Sequence, residues 1–453
     1  MSNDKPIYSE DTTIREIFNQ NVASSSLNSG NNINIISKKN TNIQSSDLNS
    51  DNDVNIVTID GNVNILASFN ETTVKNTSKH KEISKTFIEV KGGSLSVDLK
   101  GEMSSGDVKN TTKTTVSSNI NNNNVNIISG DNINIIASQD TFKASSKTEN
   151  INENASVGNN AIQIGFDYGK DTSNANSVTN NSSYIGTNNG TINLNTDNNG
   201  INIKGANIEA NNIDIDVANN LNLESLQDIY YNKSNSNNFG LNVGGNPSSI
   251  NGGFNIGSSK GTIDNQWVNN QTSIIGNDKV DIKIGTKENS KGNTNIKGSL
   301  IVSGSYDNNG NFIDNNNLTL TTNTLTYEDI KDFYNNETKG SNFSISIGAN
   351  KTDQNDINLH PQGTTTNKGE EKERITRATI GGGSILVKDK INGKDILINE
   401  NNKSNQNTLL SDLNRDINKS QEITKNQITG ALDGSMTIDN RLFTEGGRGG
   451  YWR

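Results

Sequence analysis

Residues able to do acid–base, nucleophilic or metal chemistry are sparse in this sequence. Its two histidines, His80 and His360, stand in no spacing such as H-E-x-x-H that would bring two imidazoles to one metal. There is no Cys, hence no thiolate ligand, no Cys nucleophile and no disulfide framework. No G-x-S-x-G elbow occurs either. Asp214 and Asp216, in the run IDID, share a face by parity, and a glycoside hydrolase needs two carboxylates about 5–10 Å apart on one face. Outward Asp and Asn recur throughout the same region, so the pair reads first as part of a solvated side. Tyr230, Tyr231 and Trp267 are candidate sugar-stacking platforms or, more simply, aromatics capping a polar arm. Gly381, Gly382 and Gly383 lie between Ile380 and Ile385 without the strand–loop–helix context and Lys-Ser/Thr pair of a phosphate loop, and fit a strand bulge instead. The calcium-binding G-G-x-G-x-D nonapeptide is absent. The sequence therefore names no catalytic, cofactor-binding or metal-ligating residue, and no cofactor.

What the sequence does carry is a short strand, repeated. Between Asn31 and Ser68 a pattern Asn–apolar–Asn–apolar recurs at Ile33/Ile35, Ile43, Val54/Ile56 and Val63/Ile65. β-Branched residues at one parity and Asn at the other mark a half-buried strand. One such strand cannot bury its face alone, but stacked copies can, which points to a β-solenoid. The copies fall about ten residues apart, so a turn holding two of them takes about twenty residues. Ten to fifteen such turns, at ~4.8 Å each, predict a rod on the order of 50–70 Å long.

Larger units are visible too. NVNILAS (Asn62 to Ser68), NINIIAS (Asn132 to Ser138) and NLNLESL (Asn220 to Leu226) each precede a stretch rich in Ser, Lys, Asn and Thr. Those polar arms are expected to leave the column as long hairpins. A short alternating segment follows each one, at Leu95/Val97/Leu99, Ile162/Ile164/Phe166 and Phe239/Leu241/Val243, and is read as a second strand pair. Residues 1–30 form an irregular entry in which Thr13 to Glu16 could be a capping box opening a short helix. Residues 31–290 hold the repeats with their excursions, and 291–400 a closing module. Six of the seven arginines follow residue 373, marking a change of composition. Residues 401–430 carry a helical pattern, with Leu410, Leu413, Ile417 and Ile428 on one face and Gly430 as a stop. Arg415 and Asp416 on that helix are surface or capping residues. Residues 431–453 are a tail.

Composition bounds the partners. The 453 residues carry a net charge of −10, are 29% hydrophobic and have a mean hydropathy of −0.72. Such a composition leans towards disorder unless a repeat supplies a thin apolar column. The acidic balance speaks against nucleic acid. No apolar run approaches the roughly eighteen residues of a transmembrane helix. The first residues, MSNDKPIYSEDTTIREIF, lack the apolar h-region of a signal peptide.

The N-Φ-N-Φ-Φ-A-S strands and their Ser/Lys-rich arms resemble the haemagglutinin repeats of two-partner secretion exoproteins. These include the filamentous haemagglutinins and the effectors of contact-dependent growth inhibition. Gly292 to Phe333, Thr376 to Asp389 and Leu413 to Lys425 are similar, in that order, to the passages that close the repeat region there. The resemblance covers most of residues 31–429. It implies an all-β fold, a right-handed parallel β-helix with polar hairpin arms and a short C-terminal helix. It implies a non-enzymatic, surface-exposed or secreted adhesin segment of a longer exoprotein from a Gram-negative source. Its partners would be an outer-membrane β-barrel transporter, reached through an N-terminal domain with no counterpart here, and a receptor on a host or neighbouring cell. The alternatives are a growth-inhibition delivery stalk without its toxin and a β-helical polysaccharide hydrolase or lyase.

Overall fold

The computed structural model describes residues 5–90, 94–158, 161–187, 189–286, 291–350, 357–396, 403–429 and 434–437. The Asn–apolar alternation forms short strands whose burial alternates with it; along Asp53–Thr58, Val54, Ile56 and Thr58 are buried and the residues between them only half so. These strands pair in parallel along three ladders. Ladder I begins Ser25–Ser29, Ser46–Ser50, Asn119–Asn122. Ladder II begins Ile33–Ser37, Asp53–Thr58, Asn124–Ser129, and ladder III Thr41–Gln44, Val63–Leu66, Ile133–Ile136. The chain visits I, II and III in turn and then returns to I one level on. Ladder II can be followed through Asn34, Asn55, Asn126, Asn193, Asp214, Asp281, Thr319 and Ser384, eight strands deep. Successive levels are 21 residues apart from Asn34 to Asn55 but 71 apart from Asn55 to Asn126. The sequence period of about twenty residues is therefore right, but it holds three strands rather than two. The levels number eight rather than ten or more, because many alternating segments lie outside the ladders.

The core is a stack of like upon like. Ile56, Ile127, Leu194, Ile215, Ile282 and Leu320 are direct neighbours along ladder II, and none is more than 2% exposed. Each such side chain contributes roughly 1.5–3 kcal/mol by leaving water. Polar positions stack as well. Asn55 donates to Asn34 (2.8 Å), Asn126 to Asn55 (2.8 Å) and Asn193 to Asn126 (2.6 Å). Ladder III repeats the device through Asn42, Asn64, Asn134, Asn202 and Asn222, at 2.7–2.9 Å. An amide that both donates and accepts along the stack satisfies its neighbours at every level, as in amyloid ladders.

The chain passes from ladder III back to ladder I in two ways. At Ser45, Gly205 and Gly298 it turns at once, each residue taking a positive φ (51°, 61° and 55°). Elsewhere it leaves as a long antiparallel hairpin. The four hairpins are Ser68–Val90 with Ser94–Val116, Ser138–Gly158 with Ala161–Asn181, Asp228–Asn246 with Ser249–Trp267, and Ile330–Asn350 with Ile357–Thr376. They also pair with one another, making a single antiparallel sheet edged by Lys5–Gln20 on one side and by Gln421–Thr429 and Gly434–Thr437 on the other.

Several sequence expectations change accordingly. Thr13 to Glu16 open no helix, because Lys5–Gln20 is one extended strand paired residue by residue with Ser68–Val90. The alternating segments after the arms belong to the hairpins rather than to the ladders; a period of two identifies a strand but not its sheet. The fourth hairpin lies inside the region read as a closing module. Among the described residues of 401–430, helix forms only at Lys403–Leu409, with a 3₁₀ turn at Ile417–Lys419. Asn414 and Asp416 interrupt the helical pattern by local side-chain hydrogen bonding, and Gln421–Thr429, rich in Ile and Thr, pairs with the hairpin sheet. The tail of 431–453 lies outside the described residues except for Gly434–Thr437.

A Cβ placed on Gly298 would stand 2.5 Å from Ile330 Cδ1 in a left-handed conformation, whereas one on Gly169 meets nothing within 4 Å. Gly298→Val is expected to lower stability by about 1–3 kcal/mol in urea unfolding, and Gly169→Val to leave the midpoint nearly unmoved. Equal midpoints for the two variants would contradict the corner geometry.

Candidate functional site: an amphipathic hairpin sheet

The hairpins are fixed to the ladders by a recurring clamp. At the foot of each outgoing strand an Asn or Asp side chain accepts a backbone N–H from the end of the preceding return strand. Asn70 accepts from Val22 (2.6 Å), Asp140 from Thr115 (2.5 Å), Asp228 from Asn180 (2.6 Å) and Asp332 from Val268 (3.1 Å). The last clamp is the most elaborate. Asp332 is 1% exposed. Its Oδ1 also accepts from Gln227 (3.0 Å), and its Oδ2 from Thr376 (2.7 Å) and Arg374 Nε (2.8 Å). Arg374 reaches Gln421 (3.2 Å) and the Val268 carbonyl, and its guanidinium lies 4.2 Å from the Trp267 ring. A buried carboxylate is tolerable here because its lone pairs are met and its charge is paired.

Beyond the clamps the sheet becomes two-faced. Directly opposed residues share a face, so each row of the sheet can be read across the strands. One row runs Leu99, Ala155, Ile164, Val243, Gly252, Ile347, Leu359, and the next Met103-ward row runs Gly101, Glu153, Phe166, Leu241, Phe254, Ile345, Pro361. The row after that holds Met103, Ile151, Tyr168, Phe239, Ile256 and Phe343. Many of these side chains are half exposed, among them Ile162, Ile164, Val243 and Ile250 (49–61%). Val157, Ile162, Ile164, Val243, Pro247 and Ile250 line an apolar trough of about 530 Å³ near the hairpin turns. Phe166, Phe239 and Phe254 meet at centroid distances of 6.0 and 5.5 Å. One row nearer the ladders the face turns charged, with Glu149 bound to Lys147 and Lys170 at 3.1 Å. Those lysines hold the Glu149 carboxyl below its usual range.

The opposite face is amide and glycine. Asn154 faces Gly165, Asn242 faces Gly253, Asn255 faces Gly240 and Asn238 faces Gly257. A Cβ on any of these glycines would fall within 2.0–2.4 Å of the facing amide oxygen. Glycine is thus required for each Asn side chain to lie flat across its neighbour.

The candidate residues read from the sequence are scattered rather than brought together. His80 bonds Asp11 on the edge strand (2.6 Å), and that hydrogen bond raises its pKa. His360 is exposed on another strand, opposite Ser346. Asp214 stacks between Asn193 and Asp281 with Lys279 at 3.9 Å, and Asp216 accepts from Thr286 (2.5 Å). Both are members of the polar column. Tyr230 and Tyr231 sit partly exposed on a hairpin, while Trp267 is covered by Arg374. The Gly381–Gly383 turn is occupied from within: Asp314 accepts from Gly382 N (2.6 Å) and Arg415 donates to the Gly381 carbonyl (2.6 Å). Burial pushes Arg415 down from its usual value. Asp416 caps the 3₁₀ turn through Asn418 N (3.0 Å). Among the described residues no group of three His, Asp or Glu is placed to hold a metal ion.

Sequence reasoning missed both the clamps and the two-faced sheet. The clamps were signalled by an Asx soon after each ladder III strand, in ASFN, ASQD, SLQD and DIKD. The two faces were signalled by apolar alternation opposite Asn/Gly alternation within the arms.

An all-β protein of large sheets, with a stacked parallel array and hairpins emitted at intervals, is the class this geometry defines. The family model of the hemagglutinin repeat matches residues 8–136 and again 114–241, more than half of the chain, and the chain belongs to that family. No curated protein and no solved structure matches it.

Removing one partner of a buried ion pair typically costs about 3–5 kcal/mol, while replacing both by apolar groups costs far less. Arg374→Leu is expected to lower the unfolding free energy by that order in urea unfolding, and Arg374→Leu with Asp332→Asn, which removes the unpaired charge but keeps an acceptor for the Val268 N–H, to recover part of the loss. An unchanged midpoint in the single variant would show that the clamp does not hold the hairpins.

Proposed function

We propose that the protein is a non-enzymatic segment of a filamentous haemagglutinin-like, surface-exposed or secreted exoprotein, built as a right-handed parallel β-helix, that mediates contact with another cell. The three ladders are the faces of that helix, and their strict order I, II, III supports the reading. The family membership supports the exoprotein, and an outer-membrane β-barrel transporter is its expected export partner. The contact itself falls to the hairpin sheet, whose apolar face enters the lipid bilayer of the contacted cell.

One observation carries the contact reading: the apolar face is a band of limited height, bounded on the ladder side by charge. From Ile162 to Tyr168 the face rises by six residues, about 20 Å at ~3.4 Å each. Outer-membrane barrels present an apolar band about 25 Å tall, bordered by aromatic girdles. Tyr168, Phe239 and Phe343 occupy the border row here, just before the Glu149–Lys170 pair. No described helix is long and apolar enough to cross a membrane, so insertion would fall to strands, which a search for long apolar runs does not detect. Glu153 stands in the middle of these rows, whereas Glu10, Lys81 and Lys85 join them only towards the Lys5–Gln20 edge. A delivery stalk would use the same surface; a polysaccharide hydrolase or lyase finds no support in carboxylates that belong to the polar column.

Flotation with phosphatidylcholine vesicles tests the proposal. The wild-type chain is expected to float, Ile164→Asp with Val243→Asp to reduce the bound fraction at least tenfold, and Glu153→Leu to raise it. A wild-type chain that stays in the dense fraction would overturn bilayer contact while leaving the rod intact.

A further inference from the structure

We infer that copies of this chain join head to tail through the two edges of the hairpin sheet: Lys5–Gln20 of one copy pairs with Gln421–Thr429 of the next. This rests on the strand edges and not on the bilayer reading.

Both edge strands are paired on one side among the described residues, Lys5–Gln20 with Ser68–Val90 and Gln421–Thr429 with the strand Ile357–Thr376. A long strand with a free row of N–H and C=O groups is a template for another strand unless it is blunted by charge, proline or a covering element. The first edge carries Pro6 and the charges Glu10, Asp11, Arg15 and Glu16 and the second Glu422 and Lys425, but both also present apolar side chains towards their ladder ends. Ile14, Ile17 and Phe18 are 52–57% exposed on the first, and Ile423 and Ile428 are 62% and 74% exposed on the second. The charges nearby are engaged within the chain: Glu16 with Lys75 (3.6 Å), and Lys425 with Glu371 (2.5 Å) and Glu373 (3.7 Å).

Strand direction makes the edges complementary. Throughout the sheet, outgoing strands alternate with return strands. Lys5–Gln20 runs antiparallel to the outgoing Ser68–Val90 and is therefore a return strand; Gln421–Thr429 runs antiparallel to the return strand Ile357–Thr376 and is outgoing. Side by side they would continue the alternation without a break. They cannot meet within one chain. Eight strands lie between them, which at ~4.8 Å per strand separates the two edges by about 43 Å, and the clamps fix the feet of those strands along the ladders. At the far end of the parallel array Leu413 and Ile417 are buried and Asn414 bridges Thr379, so a described segment already covers part of that end. The sheet edge lies beyond that cover. Pairing unlike edges is a heterologous contact, which propagates as an open chain instead of closing as a dimer.

Sedimentation velocity over a concentration series, with two edge variants, decides the matter. The full wild-type chain is expected to form growing species with concentration. Ile14→Lys with Ile17→Lys blunts the first edge, and Ile423→Lys with Ile428→Lys blunts the second; each variant alone is expected to sediment as a monomer with an unchanged circular dichroism spectrum. An equimolar mixture of the two variants retains one intact edge of each kind and is expected to give dimers and nothing larger. A monomeric wild type, variants that associate like the wild type, or a mixture that fails to dimerise would each overturn the inference.

Discussion

Everything in this molecule follows from register. A strand of four to six residues with two buried side chains has no core of its own; it is stable only when the same residue type lies directly above and below it. The stack of Ile56, Ile127, Leu194, Ile215, Ile282 and Leu320 meets that condition inside, and the amide columns meet it outside. A slip of one residue would exchange the two faces and place Asn in the core. The repetition of Asn–apolar pairs is thus less a matter of composition than of enforcing one register eight levels deep.

Register also governs where hairpins can leave. A hairpin adds two strands to the second sheet, about 9.6 Å, and two levels of the ladders rise by the same ~9.6 Å. The chain nearly keeps this balance by alternating hairpins with the immediate corners at Ser45, Gly205 and Gly298. Two sheets with the same spacing can then run alongside each other. The Asx clamps, from Asn70 to Asp332, hold the feet of neighbouring hairpins together where the two sheets meet. A polar, Ser/Lys/Asn-rich arm that would be a linker in isolation becomes a long ordered strand because it has a neighbour on each side.

The strands of the ladders were legible in the sequence because burial, β-branching and Asn all repeat together. NVNILAS and NINIIAS, the clearest internal match, are neighbours in ladder III, with Ile133 on Val63 and Ile135 on Ile65. What was not legible was assignment to a sheet. Ile162/Ile164/Phe166 has the same alternation as a ladder strand, and only the long-range pairing with Val243 and Leu241 shows that it belongs to a hairpin. The third strand per level was hidden because it shows only one buried aliphatic residue among Ser, Asp and Asn, as in Ser46–Ser50 with Leu48. At the C-terminal end, apolar spacing suggested a helix, but Leu413 and Ile417 are buried for another reason: they cover the end of the array. The candidate site is a face built from rows across several hairpins, which no local motif in the sequence marks.

The central claim is that residues 71 positions apart in sequence lie one level apart in space because a hairpin has been inserted between them. Nitroxide labels test it most directly, since the chain has no native Cys. With Cys placed at Asn55 and Asn126, the account predicts strong dipolar broadening from labels attached about 5 Å apart on the backbone. A spectrum equal to the sum of the two singly labelled proteins would contradict it.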